Sequence, residues 1–130
     1  MAKASYVWSG SEWLPVASAF PTAHQRFIEN SAATSYTLDV NDTGKAIVFS
    51  SSSSVTLTIP DDATFEFTVG QTFVVIQNGT GTVSVTTEDV ADLYSSVATG
   101  TVELNGQYAV ATLIKVDSDE WVIYGDIVSP

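Results

Sequence analysis

The chain has 130 residues, no cysteine, 15 carboxylates against four lysines or arginines, and a formal net charge of −11. That length suits one domain with a real core, and the lack of cysteine excludes a disulfide framework, thiolate chemistry and Cys-based zinc. The acidic balance disfavours nucleic acid and anionic membrane surfaces as partners; with no apolar run of signal-peptide or membrane-spanning length, the expectation is a chain made and folded in a cytoplasm.

In chain order, the first predicted element is "YVWSGSEWLPV", Tyr6 to Val16, two very short strands around a Gly-centred turn. A hairpin of that size is marginal alone in water. Its three rings bury roughly 150–250 Å² each when covered, on the order of 10 kcal/mol gross, so a covering surface is implied. Three coverings fit: the chain's own body, another protein or neighbouring subunit, or a sugar on which Trp8 and Trp13 stack. Protein docking is preferred, because Pro15 and the apolar "LPVASAF" suit a covered surface better than a cleft edged with polar donors. The docking residues named on this basis are Tyr6, Val7, Trp8, Trp13, Leu14, Val16 and Phe20.

"TAHQRFIENSA" (Thr22 to Ala32) reads as a short helix or, equally well, an irregular connector, with Thr22 as N-cap. The composition shift at "SAATS", Ser31 to Ser35, sets the expected boundary between an arm, 1–34, and a body, 35–130. Cation content changes with it: beyond Ala46 the only cation is Lys115, against eleven carboxylates.

The body reads as strands punctuated by turns, the pattern of an all-β fold, here an antiparallel β-sandwich of jelly-roll type with an extended N-terminal arm. "VTLTI" (Val55 to Ile59), "FEFTV" (Phe65 to Val69) and "TVSVT" (Thr82 to Thr86) alternate and predict strands with one face in water. "AIVF" and "TFVVIQ" are continuous apolar runs. They predict strands covered on both sides, by the opposing sheet and by the arm or a neighbouring subunit. Asn78-Gly79 and Asn105-Gly106 predict tight hairpins with positive φ, and Asp117 to Glu120 a turn between "TLIKV" and "WVIY". "SSSSS", Ser50 to Ser54, predicts a hairpin loop or polar edge strand.

No residue set makes a convincing catalytic centre. His24 is the only histidine, without triad or metal-site neighbours in sequence. The acidic pairs Asp61-Asp62, Glu88-Asp89 and Asp117 with Asp119 and Glu120 all fall at turns; glycoside hydrolysis would require two carboxylates about 5–9 Å apart in a cleft. "DVNDTG", Asp39 to Gly44, echoes a calcium loop without its distal Glu, which favours an Asx-type turn. Gly70, Gly79 and Gly81 introduce no helix, so they are not a phosphate cradle. The expectation is therefore a non-enzymatic protein with no cofactor and no metal.

"VGQTFVVIQNGTGTVSV", Val69 to Val85, followed by "LNGQYAVATLIKVDSDEWVIYGDI", Leu104 to Ile127, resembles a module of structural proteins of tailed bacteriophages, notably the head and tail fibres of phages of marine bacteria and cyanobacteria. The likeness rests on Gly106 to Ala109, Ala111 to Leu113, Lys115, Trp121 and Gly125, and the opening Tyr6 to Ser18 resembles the Trp-Gly-Trp starts of such proteins. It implies a virion component, often a homotrimer, attached to other virion proteins by an N-terminal segment, with no catalytic residues. The short chain points within that class to a capsid decoration protein or a short head or tail fibre. The second reading is a carbohydrate-binding module that adsorbs to a host glycan through Tyr94 and Trp121.

Overall fold

The computed structural model describes residues 31–130 and, before them, the strand backbone at 6–8, 13–15 and 27–30. β1 (Tyr6–Trp8) and β2 (Trp13–Pro15) pair antiparallel with Trp8 opposite Trp13, as the opening hairpin required. β3 (Phe27–Ser31) is a strand where a helix or connector was expected, and it pairs with the body. Its β-branched and aromatic start suits an edge strand, and five register partners on its neighbour decide the conformation. The six-stranded sheet therefore takes in residues 27–31, which precede the expected boundary.

The remaining strands are β4 (Ser35–Thr37), β5 (Lys45–Phe49), β6 (Val55–Ile59), β7 (Thr72–Gln77), β8 (Val83–Thr87), β9 (Asp92–Tyr94), β10 (Val102–Leu104), β11 (Val110–Asp117), β12 (Glu120–Gly125) and β13 (Ile127–Val128). They form two sheets, ordered β3-β5-β7-β11-β12-β9 and β13-β10-β8-β6-β4. The all-β sandwich is as expected, but its pairing is mixed: β3-β5-β7 and β4-β6-β8 are parallel throughout.

The reason lies in the turns. Successive strands from β3 to β8 alternate between the sheets, so the segments between β5 and β6 and between β7 and β8 are corners that cross the sandwich. Asn78-Gly79 and Asn105-Gly106 are likewise corners, joining strands of different sheets, and of the two glycines only Gly106 has positive φ. Each turn of the coil stacks on the one before, and partners lie 28 residues apart in both sheets, Ala46 with Val74 and Val55 with Val83.

Stacking continues through the corners by backbone hydrogen bonds: Ser50 N donates to Ser31 O at 2.9 Å, Asn78 N to Phe49 O at 2.8 Å and Gly81 N to Ser51 O at 3.0 Å. The approach leaves no room for side chains. A Cβ on Gly79 would strike the carbonyl of Ser51, and one on Gly81 that of Ser53. Gln77, 2% exposed, ties the corner from inside: its Nε2 donates to Gly79 O at 3.3 Å, and its Oε1 accepts from Val83 N at 3.4 Å.

Ile47, Phe49, Phe73, Leu113 and Trp121 from one sheet meet Leu57, Ile59, Val83, Val85 and Leu104 from the other in one core. "FEFTV", expected as a strand, is a loop across one end of the sandwich. Phe67 plugs that end edge-on to Phe73 and Trp121, with centroids 5.2 and 5.6 Å away. A neighbouring ladder would have to displace this aromatic contact, so the segment's alternation serves a plug with Phe67 buried and Phe65 half-exposed.

Asp39 caps a short 3-10 turn, Val40–Asp42, its Oδ1 accepting from Asn41 N at 2.8 Å. Asp42, 2% exposed, accepts from the Tyr36 hydroxyl at 2.7 Å and from Asp39 N at 2.9 Å. The predicted Asx-type turn is therefore present, and Asp42 serves structure.

Gly79→Ala and Gly81→Ala should each destabilise the protein by about 1–3 kcal/mol, because backbone must move to admit a methyl group; denaturant midpoints measure this. Asp42→Ala should cost about 1–3 kcal/mol, since it removes the carboxylate that accepts from the Tyr36 hydroxyl and the Asp39 N–H. Asp42→Asn, which retains an acceptor, should recover part of the loss in the same titration.

Candidate functional site

Side chains alternate along each strand, so residues opposite in parity to the core positions form the outer faces. On the five-stranded sheet that face is hydroxylic: Ser35, Thr56 and Ser84 lie in register across three strands, as do Thr37, Thr58 and Thr86. Thr101 Oγ1 donates to Thr86 Oγ1 at 2.9 Å beside them. Such a face is at ease in water.

The six-stranded sheet is different. Three rows cross its outer face: Ala46, Val74, Thr112, Tyr124; then Val48, Ile76, Val110; then Thr72, Ile114, Val122, Tyr94. None of these is a Lys, Arg, Asp or Glu. Val110 is 43% exposed and Tyr124 54%, while Val74, Ile76, Ile114 and Val122 are half-buried. Ala46 and Val48 are buried yet stand outside the central core cluster. The first carboxylates appear at the rim, where Asp92 and Glu120 lie in register. This face is contiguous and uncharged, and of its residues Tyr94, Val110 and Tyr124 are exposed. Of the two covers expected for "AIVF" and "TFVVIQ", the opposing sheet is present, and the outer side of each run lies in these apolar rows.

Of the residues named from sequence, Trp121 is 1% exposed, stacked among Phe67 and Phe73, and its Nε1 has no hydrogen-bond partner among the described residues. It cannot lie against a sugar, because its parity on β12 aims it inward with Ile123. Tyr94, on the opposite parity of β9, is 39% exposed, and its hydroxyl donates to Asp92 Oδ2 at 3.3 Å. The Asp92 charge, slight burial, that hydrogen bond and the Glu120 charge hold its phenol above the ordinary value of 10.0. The backbone of Tyr6, Val7, Trp8, Trp13 and Leu14 forms the expected hairpin, whereas Val16, Phe20 and His24 lie outside the described residues.

The acidic turns act as backbone anchors. Asp61 Oδ1 accepts from Thr64 N at 2.9 Å, and Glu88 Oε2 from Asp61 N at 3.2 Å. No pocket opens and no group of three metal-binding side chains gathers among the described residues.

Sequence reasoning missed one site: Lys115, 1% exposed, reaches Asp62 Oδ1 at 2.5 Å and the carbonyl of Phe67 at 2.7 Å. Its signal was parity, since Ala111, Leu113 and Lys115 share the inward face of β11.

Compared with protein-family models and with curated proteins, the chain matches none.

Proposed function

We propose that this chain is a non-enzymatic structural protein of a bacteriophage particle, a capsid decoration protein or short head or tail fibre. It assembles as a homotrimer and is attached to other virion proteins through its N-terminal hairpin. The observation that carries the reading is the uncharged outer face of the six-stranded sheet on a chain of net charge −11. Bringing three such chains together is repulsive unless the contact uses faces without carboxylates. The rows through Val74, Ile76, Val110 and Tyr124 supply such a face, and its occupants in this reading are the same faces of the other two copies around a three-fold axis.

The resemblance of Val69 to Val85 and Leu104 to Ile127 to phage fibre modules supports the same class. The glycan-binding alternative retains Tyr94 and loses Trp121, so it stands second.

Light scattering coupled to size exclusion should return about three times the chain mass of 13.8 kDa. Val110→Glu combined with Tyr124→Glu should reduce this to one chain without unfolding it; a monomeric parent protein would remove the trimer. Trp8→Ala with Trp13→Ala should abolish co-sedimentation with particles lacking the protein while leaving the body folded. Undiminished attachment would overturn the docking role of the hairpin.

A further inference from the structure

Lys115 and Asp62 form a buried pair that takes no part in the proposed assembly. The ammonium sits at the inward end of β11, in register with Trp121, beneath the loop that carries Phe67. Lys115 is 1% exposed, and Phe67 and Trp121, 2% and 1% exposed, meet edge-on in the same core, so its nitrogen is shut off from bulk water. The Asp62 side chain is 17% exposed.

The hydrogen-bond inventory around the pair is short. An ammonium carries three donors, and among the described residues two acceptors meet them, Asp62 Oδ1 and Phe67 O. The other carboxylate oxygen, Oδ2, accepts from the backbone N–H of Asp119 at 3.1 Å, and Asp62 N donates to Asp119 Oδ1 at 2.7 Å, which fixes the carboxyl plane. A secondary amide joining the two side chains would have one N–H and one C=O. Each has its partner in place: Phe67 O for the N–H and Asp119 N–H for the oxygen. The site therefore holds a partner for each polar group of an amide. Burying two opposite charges is itself costly, and an amide removes both.

We propose that Lys115 and Asp62 condense to an intramolecular isopeptide bond in the folded protein. A proton passes along the hydrogen bond from Nζ to Oδ1, leaving an amine against a carboxylic acid. Nζ then attacks Cγ, and the charge that develops on Oδ2 is held by the Asp119 N–H, as in an oxyanion hole. Collapse breaks the Cγ–Oδ1 bond. Oδ1 leaves as water with two of the three ammonium protons, and the third remains on the amide nitrogen facing Phe67 O. Positive and negative charges cancel, so no oxidant, reductant or cofactor enters. The fold supplies proximity by holding the reacting groups in contact and away from water.

The bond would join the loop after β6 to the strand beneath Phe67, across 53 residues of chain. It is independent of the virion reading.

The test is the intact mass of the full-length chain, measured in denaturant after purification, with Asp62→Ala prepared alongside so that N-terminal processing cancels. The parent protein should be lighter than its sequence by one water. Asp62→Ala and Lys115→Arg should show their full sequence masses, and Asp62→Asn should lose one ammonia instead. Fragmentation of a digest should give a branched peptide joining Lys115 to Asp62. A parent protein at full sequence mass overturns the proposal. So does a one-water deficit that persists in Asp62→Ala, because the cross-link would then lie elsewhere.

Discussion

The body depends on how closely one corner of the chain can lie on the next. Residues 78–82 rest on residues 50–54 with Gly79 and Gly81 set against the carbonyls of Ser51 and Ser53. Because the corners stack, the strands on either side keep one register, with the same 28-residue offset in both sheets. Slipping the five-stranded sheet by one residue would turn its apolar set toward solvent and its Ser and Thr toward the core. The corners therefore secure the core by tying the two registers together, and Gln77 reinforces the tie from within.

From this geometry the two outer faces follow, and they differ in character. The five-stranded sheet presents aligned Ser and Thr, with Glu103 beside Ser84, and its polarity suits exposure. The six-stranded sheet presents Val, Ile and Tyr without a charge until Asp92 and Glu120 at its rim. In the proposed assembly the uncharged side makes the contact and the hydroxylic side stays in water. The carboxylates that remain hold backbone: Asp42, Asp61 and Glu88 each accept main-chain N–H groups at loops that close the ends of the sandwich.

Much of this was legible from residue patterns. Alternation in "VTLTI" and "TVSVT" located two strands and their inward faces, and the unbroken runs "AIVF" and "TFVVIQ" foretold two apolar faces. The connectivity was not legible. A glycine next to an asparagine signals a tight hairpin when only local chain is considered, whereas Gly79 is required by the carbonyl of a segment 28 residues earlier. The coil's repeat was hidden as well, because the first turn is shorter, with offsets of 18 at Phe27 and 21 at Ser35. Trp121 in its alternating strand read most simply as a core or interface aromatic, and as a glycan contact only in the second reading. Its parity with Ile123 makes it core, and the same parity argument applied to Ala111 and Leu113 would have placed Lys115 inside.

The central structural claim is that the corners are part of the stacked ladder. Native-state hydrogen exchange at single amides measures this most directly. Gly79 and Gly81, whose N–H groups donate to Phe49 O and Ser51 O at 3.0 Å, should be protected to nearly the degree of the β7 amides. If they exchange as fast as amides of an exposed loop, the corners do not stack, and the common register of the two sheets needs another cause.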